Sequence, residues 1–174
     1  FDRERAKDLQ WLFTNHKISA KQRQHVLDSL FGFTEALGIN ERVLEWNIPI
    51  PAEARAFAAQ HIPNDKMILV ISPCSSVSQR NWTVEGYATV ADYATEKQNM
   101  QVVLCGGSTV IEQEYGERIA QRCHHTPLNL IGKTNLKQLL AILEKADIIV
   151  APDSGPAHLG TSVGTSVIGL YACT

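Results

Sequence analysis

The pattern of apolar and polar positions divides the chain into two stretches of different character. Residues 1–62 place apolar side chains at helical spacing and contain no run typical of a buried strand. We predict helices here near residues 9–13, 26–37 and 52–60. Gly38 follows the second of these and suits the residue that ends a helix.

From residue 66 onward, short continuous apolar runs alternate with amphipathic stretches. The apolar runs predict buried strands at residues 67–71, 102–104, 128–131, 147–151 and 166–171. The amphipathic stretches predict helices near 84–96, 109–122 and 136–143, and one more that begins at Pro156. Buried strands that alternate with helices imply a parallel sheet covered on both faces. We therefore predict an α/β, Rossmann-like, doubly wound domain over residues 63–174, preceded by a helical segment over residues 1–62.

In such a sheet, ligands bind beyond the carboxyl ends of the strands, where loops lead into the N-termini of helices. The loops that the predicted strands place there are rich in small and polar residues. They cover residues 72–82, 105–109, 132–135 and 152–158. These four loops form the candidate binding site.

The loop after the fourth predicted strand has the sequence Asp153-Ser154-Gly155-Pro156-Ala157-His158. Gly155 would let a ligand approach the backbone closely, and Pro156 suits a first helical turn. Free N–H groups at that helix start would bind a phosphate with help from the helix dipole. The alternative is an ordinary turn capped by Asp153 or Ser154, with His158 packed in the helix that follows.

The loop after the first predicted strand offers a second set of polar groups. Ser75 and Ser76 could bind phosphate oxygens, and Arg80 could neutralise their charge. The alternative is a flexible polar loop with a solvated Arg80, in which Trp82 packs against the next helix.

The two remaining loops carry weaker candidates. Gly106-Gly107 predicts a close backbone turn, but the chain lacks the spacing of a dinucleotide fingerprint. Glu112 could bind ribose hydroxyls or form a capping box with Thr109, and Glu114 is an alternative for the ribose. Lys133-Thr134 could lie against a base or phosphate, although a solvated lysine is the ordinary expectation.

Composition and charge exclude several classes of protein. With 44% hydrophobic residues and a formal net charge of −2, the 174-residue chain does not resemble a nucleic-acid-binding protein. No apolar run approaches the roughly 20 residues that span a bilayer, and no basic-then-apolar leader is present. The chain begins at Phe1 and stops just after an apolar run, so we expect a fragment of a longer polypeptide.

The cysteines and histidines do not predict a metal site. The four cysteines show no CxxC pairing, which favours reduced thiols in a cytosolic protein. Cys123-His124-His125 could suggest ligands, but adjacent residues rarely point at one ion. No second ligand pair stands at a suitable spacing, so we predict no metal.

Taken together, these motifs resemble glycosyltransferase family 9, which contains the lipopolysaccharide heptosyltransferases. The resemblance covers about residues 66–174 and looser matches at 13–17 and 24–26. It is carried by Ser75-Ser76 with Arg80-Asn81-Trp82, Leu104-Cys105-Gly106-Gly107, Leu130 to Leu136, and Ala146-Asp147 with Asp153 to Leu159. The last motif is the most specific of them.

The resemblance implies the C-terminal, donor-binding half of a two-domain GT-B enzyme. Such an enzyme transfers heptose from ADP-heptose, with inversion, to the inner core of lipopolysaccharide in a Gram-negative bacterium. The ADP-sugar is a substrate, so no cofactor and no metal are implied. The family acts in the cytoplasm at the inner membrane, and peripheral membrane association is left open. The partners implied are the donor and the lipopolysaccharide acceptor, with no nucleic acid.

The resemblance also implies roles for individual residues. It implies that the diphosphate is bound by Ser75, Ser76, Arg80, Ser154, Gly155 and Pro156, and the adenine side by Lys133 and Thr134. The sugar would be bound by Asp153, and the ribose by Glu112 or Glu114. His158 belongs to the same donor site. The general base is expected in an N-terminal domain that this chain lacks, so the catalytic residue is unknown and the fragment alone should be inactive.

Two positions depart from the family pattern, and two other interpretations stay open. Arg80 stands where lysine is more usual, and Thr83 follows Trp82 where proline is common. One alternative is a nucleotide-sugar epimerase of similar architecture, which would carry a different acidic and histidine set in these loops. The other is a non-catalytic nucleotide-binding α/β module, against which only the loop chemistry argues.

Overall fold

The computed structural model describes residues 8–19, 24–62 and 65–171. The chain divides into two compact units, Phe1–Glu45 and Trp46–Thr174. The second unit therefore includes helix α2 (Ala52–His61), which the sequence analysis assigned to the helical segment. Helix α2 packs against α5 (Leu136–Lys145), where the Arg55 guanidinium donates to both oxygens of Glu144 at 2.9 and 2.8 Å. This paired hydrogen bond lowers the pKa of the Glu144 carboxyl.

The first unit contains helix α1, Val26–Ala36, close to its predicted bounds. The helix ends as predicted, because Gly38 takes a φ of +83° and the N–H groups of residues 38 and 39 bond back to the carbonyls of Glu35 and Thr34. The helix predicted near residues 9–13 was wrong. That stretch forms only a 3-10 turn, Gln10–Leu12, because Leu9 adopts a left-handed φ of 57° that an α-helix cannot contain.

The second unit is an alternating α/β sheet structure in the order that the apolar runs predicted. Its elements after α2 are β1 (Ile68–Ile71), α3 (Val84–Gln98), β2 (Gln101–Leu104), α4 (Val110–Arg122), β3 (Leu128–Asn129), α5, β4 (Ile148–Pro152), α6 (Gly155–Ser162) and β5 (Ser166–Leu170). The strands pair in parallel in the order β3-β2-β1-β4-β5. This topology confirms the predicted doubly wound sheet.

Two apolar cores hold helices against the two faces of the sheet. Successive side chains of β1 alternate between these cores, so Ile68 and Val70 join one while Leu69 and Ile71 join the other. Helices α2, α5 and α6 cover the first face, and α3 and α4 cover the second. At Gly160 of α6, an added Cβ would lie 2.3 Å from the Ile149 side chain, which shows how closely that helix approaches β4.

The edge strand β5 differs from the prediction of strands buried on both faces. Ser166 and Ile168 are exposed, with Ile168 at 52%, whereas the four residues of β1 are all buried. The exposed residues alternate with half-buried Val167, so within the described residues one face of this edge strand is left without a covering helix. None of the helices within the described residues has the length and apolar character that crossing a membrane requires.

Candidate functional site

A cleft of about 570 Å³ opens at the carboxyl ends of β1 and β4. The order of strands in the sheet reverses between these two neighbours. The strand β2 lies on the far side of β1, and β5 lies on the far side of β4. Their following loops diverge to α3 on one face and α6 on the other, which leaves a crevice between them. The cleft is lined by Cys74, Ser75, Ser76, Ser78, Asn81, Thr109, Ile111, Glu112, Asp153, Ser154, Gly155 and Pro156.

The loop after β1 is held in shape by its own polar groups. The Ser75 N–H donates to the Asn81 side-chain oxygen at 2.7 Å, and the Ser75 hydroxyl donates to the carbonyl of Val77 at 2.8 Å. A single 3-10 turn, Ser78–Arg80, then brings Arg80 back toward the sheet. The loop ends at Thr83, whose hydroxyl accepts the Gly86 N–H and caps α3. A capping hydroxyl gives Thr83 a local role at the position where the family more often has proline.

Trp82 has a packing role, as the alternative interpretation of this loop proposed. A Cβ added at Gly86 would lie 2.6 Å from the indole, so the ring covers the first turn of α3. The Tyr87 ring meets the indole edge-on at a centroid distance of 5.4 Å, and the Tyr115 hydroxyl donates to the Trp82 carbonyl. Trp82 therefore anchors the loop and does not line the cleft.

Arg80 and Asp153 form an ion pair although they are far apart in sequence. The Arg80 Nη1 donates to Asp153 Oδ2 at 3.0 Å, and the two side chains are 30% and 42% exposed. His158 stands on the other side of the same carboxylate, with its Nε2 3.6 Å from Asp153 Oδ1. Three predicted site residues thus meet at the Asp153 carboxylate, and of these only Asp153 lines the cleft itself.

The start of α6 holds an unused polar group beside the cleft. Ser154 occupies the N-cap position, yet its side chain makes no capping hydrogen bond. Its hydroxyl oxygen is buried and has no hydrogen-bond partner within the described parts of the chain. Apart from the neighbouring residues and the helix's own backbone, no described atom lies within 4 Å of the position that a Cβ on Gly155 would take. These features favour the phosphate-binding interpretation of the motif over the capping interpretation.

Glu112 lines the cleft, but its carboxylate is also bound by its own loop. One oxygen accepts the Gly107 N–H at 3.0 Å, and the other accepts the Thr109 hydroxyl at 2.7 Å. The Glu112 N–H donates to the Thr109 hydroxyl, so only one half of the predicted capping box forms. Glu114, the alternative for ribose, is exposed on α4 and is not among the lining residues.

Lys133 and Thr134 are not brought to this cleft. Their loop follows β3, which lies at the edge of the sheet beyond β2, and the Lys133 ammonium donates to the carbonyl of Asn129 at 2.9 Å. Five other lining residues were not predicted individually from the sequence. These are Cys74, Ser78, Asn81, Thr109 and Ile111. All but Ile111 fall inside loops that the strand map had already marked.

The thiols near the cleft are not prepared for nucleophilic chemistry. Burial, with a smaller contribution from Glu112, raises the pKa of Cys74 to about 11. Burial raises the pKa of Cys105 to about 12. Both side chains are therefore neutral thiols near pH 7, and the thiolate is the reactive form.

Comparison with known proteins connects this chain to one family. The family model described as glycosyltransferase family 9 (heptosyltransferase) matches residues 1–174. The chain is 44% identical over 172 residues to the lipopolysaccharide core heptosyltransferase OpsX of Haemophilus influenzae, covering 99% of this chain and 49% of that protein. It is 31% identical over 107 residues to lipopolysaccharide heptosyltransferase 3 of Escherichia coli K12, covering 61% and 31% of the two chains.

Solved structures confirm the fold. A family 9 glycosyltransferase from Veillonella parvula superposes with a TM-score of 0.81 at 24% identity, covering 94% of this chain and 50% of that one. The heptosyltransferase WaaC of E. coli with ADP superposes with a TM-score of 0.69 at 22% identity, covering 97% and 51%. The chain spans about half the length of OpsX, the relative that it matches at 44% identity. On the family match and the fold together, the chain belongs to glycosyltransferase family 9, the heptosyltransferase family.

Proposed function

We propose that this chain is the donor-binding half of an inverting glycosyltransferase that moves heptose from ADP-heptose to the inner core of lipopolysaccharide. The observation that carries the proposal is the unpartnered Ser154 hydroxyl, buried in the cleft at the start of α6. A buried hydroxyl without a partner costs free energy, and a ligand oxygen would remove that cost. Family membership and the name of the H. influenzae relative support heptose as the transferred sugar.

The diphosphate of the donor would lie between the two loops of the cleft. Ser76 offers hydroxyl and N–H donors on one side, where bonds inside the loop already use both donors of Ser75, and Ser154 with the first turn of α6 offers them on the other. Arg80 adds positive charge at the rim. As the bond to the anomeric carbon breaks, these groups would stabilise the charge that develops on the leaving diphosphate.

The sugar and the nucleoside would extend from this diphosphate in two directions. Asp153 would accept hydrogen bonds from heptose hydroxyls while Arg80 and His158 hold its carboxylate in place. Glu112 would take the ribose, because its anchored carboxylate still has lone pairs facing the cleft. Ile111, which is 68% exposed at the cleft, offers an apolar surface for adenine. Roles for Lys133 and Thr134 remain predictions.

In this proposal the remaining chemistry lies outside these residues. A general base and the acceptor-binding surface would come from the other half of the relatives' length. The acceptor would be the lipopolysaccharide core, reached at the cytoplasmic face of the inner membrane through peripheral association. The ADP-sugar would serve as a substrate, and no bound cofactor takes part.

A calorimetric titration of the chain with ADP, UDP and ADP-heptose tests this proposal. We expect ADP to bind, ADP-heptose to bind more tightly than ADP, and UDP to bind at least about tenfold more weakly, which corresponds to roughly 1.4 kcal/mol. A clear response to UDP together with none to ADP would contradict the proposal.

A variant that lacks the unpartnered Ser154 hydroxyl tests whether ADP binds in the cleft. Ser154→Ala should lower affinity for ADP several-fold, while its thermal midpoint stays unchanged or rises because an unsatisfied buried group is removed. Ser166→Ala, on the exposed edge of β5, serves as the matched control and should change neither quantity. Equal ADP affinities for wild type and Ser154→Ala would count against this hydroxyl as a ligand group.

A further inference from the structure

A second cluster of polar side chains lies away from the cleft, on the face covered by α3 and α4. Asp92 and Glu96 stand four residues apart on α3 and therefore share one side of that helix. His124 follows the end of α4. One potential ligand atom from each of these three side chains lies within 4.8 Å of the other two.

We propose that Asp92, Glu96 and His124 bind a divalent transition-metal ion of the Zn²⁺ type. The imidazole Nδ1 of His124 lies 3.2 Å from Glu96 Oε1 and 3.7 Å from Asp92 Oδ2. Zinc lies about 2.0–2.2 Å from nitrogen and carboxylate oxygen, so two ligand atoms in a tetrahedral site are roughly 3.4 Å apart. Both distances therefore match a shared ion after small side-chain movements.

The backbone already holds the cluster together without an ion. Asp92 Oδ1 accepts the N–H groups of His124 and His125 at 2.8 and 3.4 Å, and the Asp92 side chain is only 15% exposed. One oxygen of Asp92 thus fixes the loop, and the other stays directed at the His124 ring. Such outer hydrogen bonding is what orients ligands in metal sites.

The outer side of the cluster is open to an incoming ion. Glu96 and His124 are 35% and 77% exposed, and the His125 ring borders the same Glu96 oxygen at 3.8 Å. Three protein ligands would leave one position for water. Lys97 and Arg122 line the same groove and offset the acidic charge, so coordination bonds would have to supply most of the affinity.

The position of the cluster separates it from the donor cleft. Helix α3 begins at the carboxyl edge of the sheet and runs back, so its second half lies near the opposite edge. The loop after α4 leads into β3 at that same opposite edge. A bound ion would cross-link α3 to this loop, and its effect would be on stability and not on transfer chemistry.

This inference differs from the expectation drawn from Cys123-His124-His125 alone. No second ligand pair stands at a suitable spacing from those residues in the sequence. The structure brings the carboxylates from α3, with Glu96 lying 28 residues before His124. Spacing within a short motif could not show this contact.

Titration of the chain with Zn²⁺ at about pH 8, where protons compete least with the metal, tests the proposal. We expect one equivalent of Zn²⁺ to bind and to raise the thermal midpoint. His124→Gln and Glu96→Gln should each weaken Zn²⁺ binding at least about tenfold. Loss of a residue that only orients a ligand already lowers metal affinity roughly 10-fold or more, so loss of a ligand should cost at least as much. Both variants leave the Asp92 bonds to the backbone in place, and their circular dichroism should match that of wild type.

Cys123→Ser, which alters the neighbouring thiol, is the matched control and should bind Zn²⁺ like wild type. Three results would overturn the proposal. They are no Zn²⁺ binding by wild type, unchanged binding by both glutamine variants, or loss of binding in Cys123→Ser. Donor affinity should be the same with and without Zn²⁺, so failure here would leave the proposed function untouched.

Discussion

Asp153→Ala is expected to remove the affinity that the sugar contributes to donor binding while affinity for ADP is retained. A carboxylate that accepts hydroxyl hydrogen bonds is worth about 1.5–3 kcal/mol, which predicts a roughly 10- to 150-fold loss for ADP-heptose. ADP lacks the heptose hydroxyls that this carboxylate would bind. The substitution also releases the Arg80 guanidinium, which lies 3.0 Å from Asp153. ADP affinity should therefore stay constant or rise slightly.

The measurement is calorimetric titration of wild type and Asp153→Ala with ADP and ADP-heptose. Glu114→Ala is the matched control, because it removes an exposed carboxylate that does not line the cleft. An equal loss of ADP and ADP-heptose affinity in Asp153→Ala would contradict the assignment of this residue to the sugar. In the complete enzyme, wild-type transfer by the same variant would contradict it as well.

Arg80→Ala is expected to weaken binding of both ADP and ADP-heptose, and that of ADP-heptose at least as much as that of ADP because Asp153 also loses a partner. The guanidinium is the charged donor beside the proposed diphosphate position, and a charge-assisted hydrogen bond is worth about 1.5–3 kcal/mol. The loss should therefore be roughly 10- to 150-fold for each ligand. Arg80→Lys should recover part of it, since lysine keeps the charge and loses the planar fork.

Arg118→Ala is the control for this second prediction, because Arg118 lies against the Tyr115 ring on α4 and not at the cleft. Adenosine, which lacks phosphate, provides a second reference and should bind wild type and Arg80→Ala equally. A loss confined to ADP-heptose, with ADP unchanged, would show that Arg80 serves the sugar and not the diphosphate.

The fold followed from local pattern to a large extent. Continuous apolar runs predicted β1, β2 and β4 within two residues of their ends, because strands buried on both faces must be apolar throughout. Gly38 and Pro156 also predicted where α1 ends and where α6 begins. The turn at residues 10–12 was not predictable in this way, because the left-handed conformation of Leu9 has no signature in its residue type.

The compact unit around the sheet also extended further than the pattern indicated. Helix α2 has the same helical character as the segment before it, and only its contacts with α5 assign it to the sheet. The Arg55–Glu144 pair that accompanies these contacts joins residues 89 positions apart. Hydrophobic periodicity reports which side of a helix is buried but not what it is buried against.

The candidate site was predicted to the level of loops and not of contacts. The rule that ligands bind at the carboxyl ends of parallel strands placed the loops after β1, β2 and β4 correctly at one cleft. It placed the Lys133-Thr134 loop there too, because strand order cannot be read from a single sequence. The contact between Arg80 and Asp153 spans 73 residues and needed the folded chain to appear.

The most direct test of the donor site is a crystal structure of this chain with ADP-heptose. We expect the diphosphate within hydrogen-bond distance of Ser76 or the start of α6, with a phosphate oxygen near the Arg80 guanidinium. The heptose hydroxyls should meet the Asp153 carboxylate. A diphosphate bound outside this cleft, or a heptose that makes no contact with Asp153, would contradict the account.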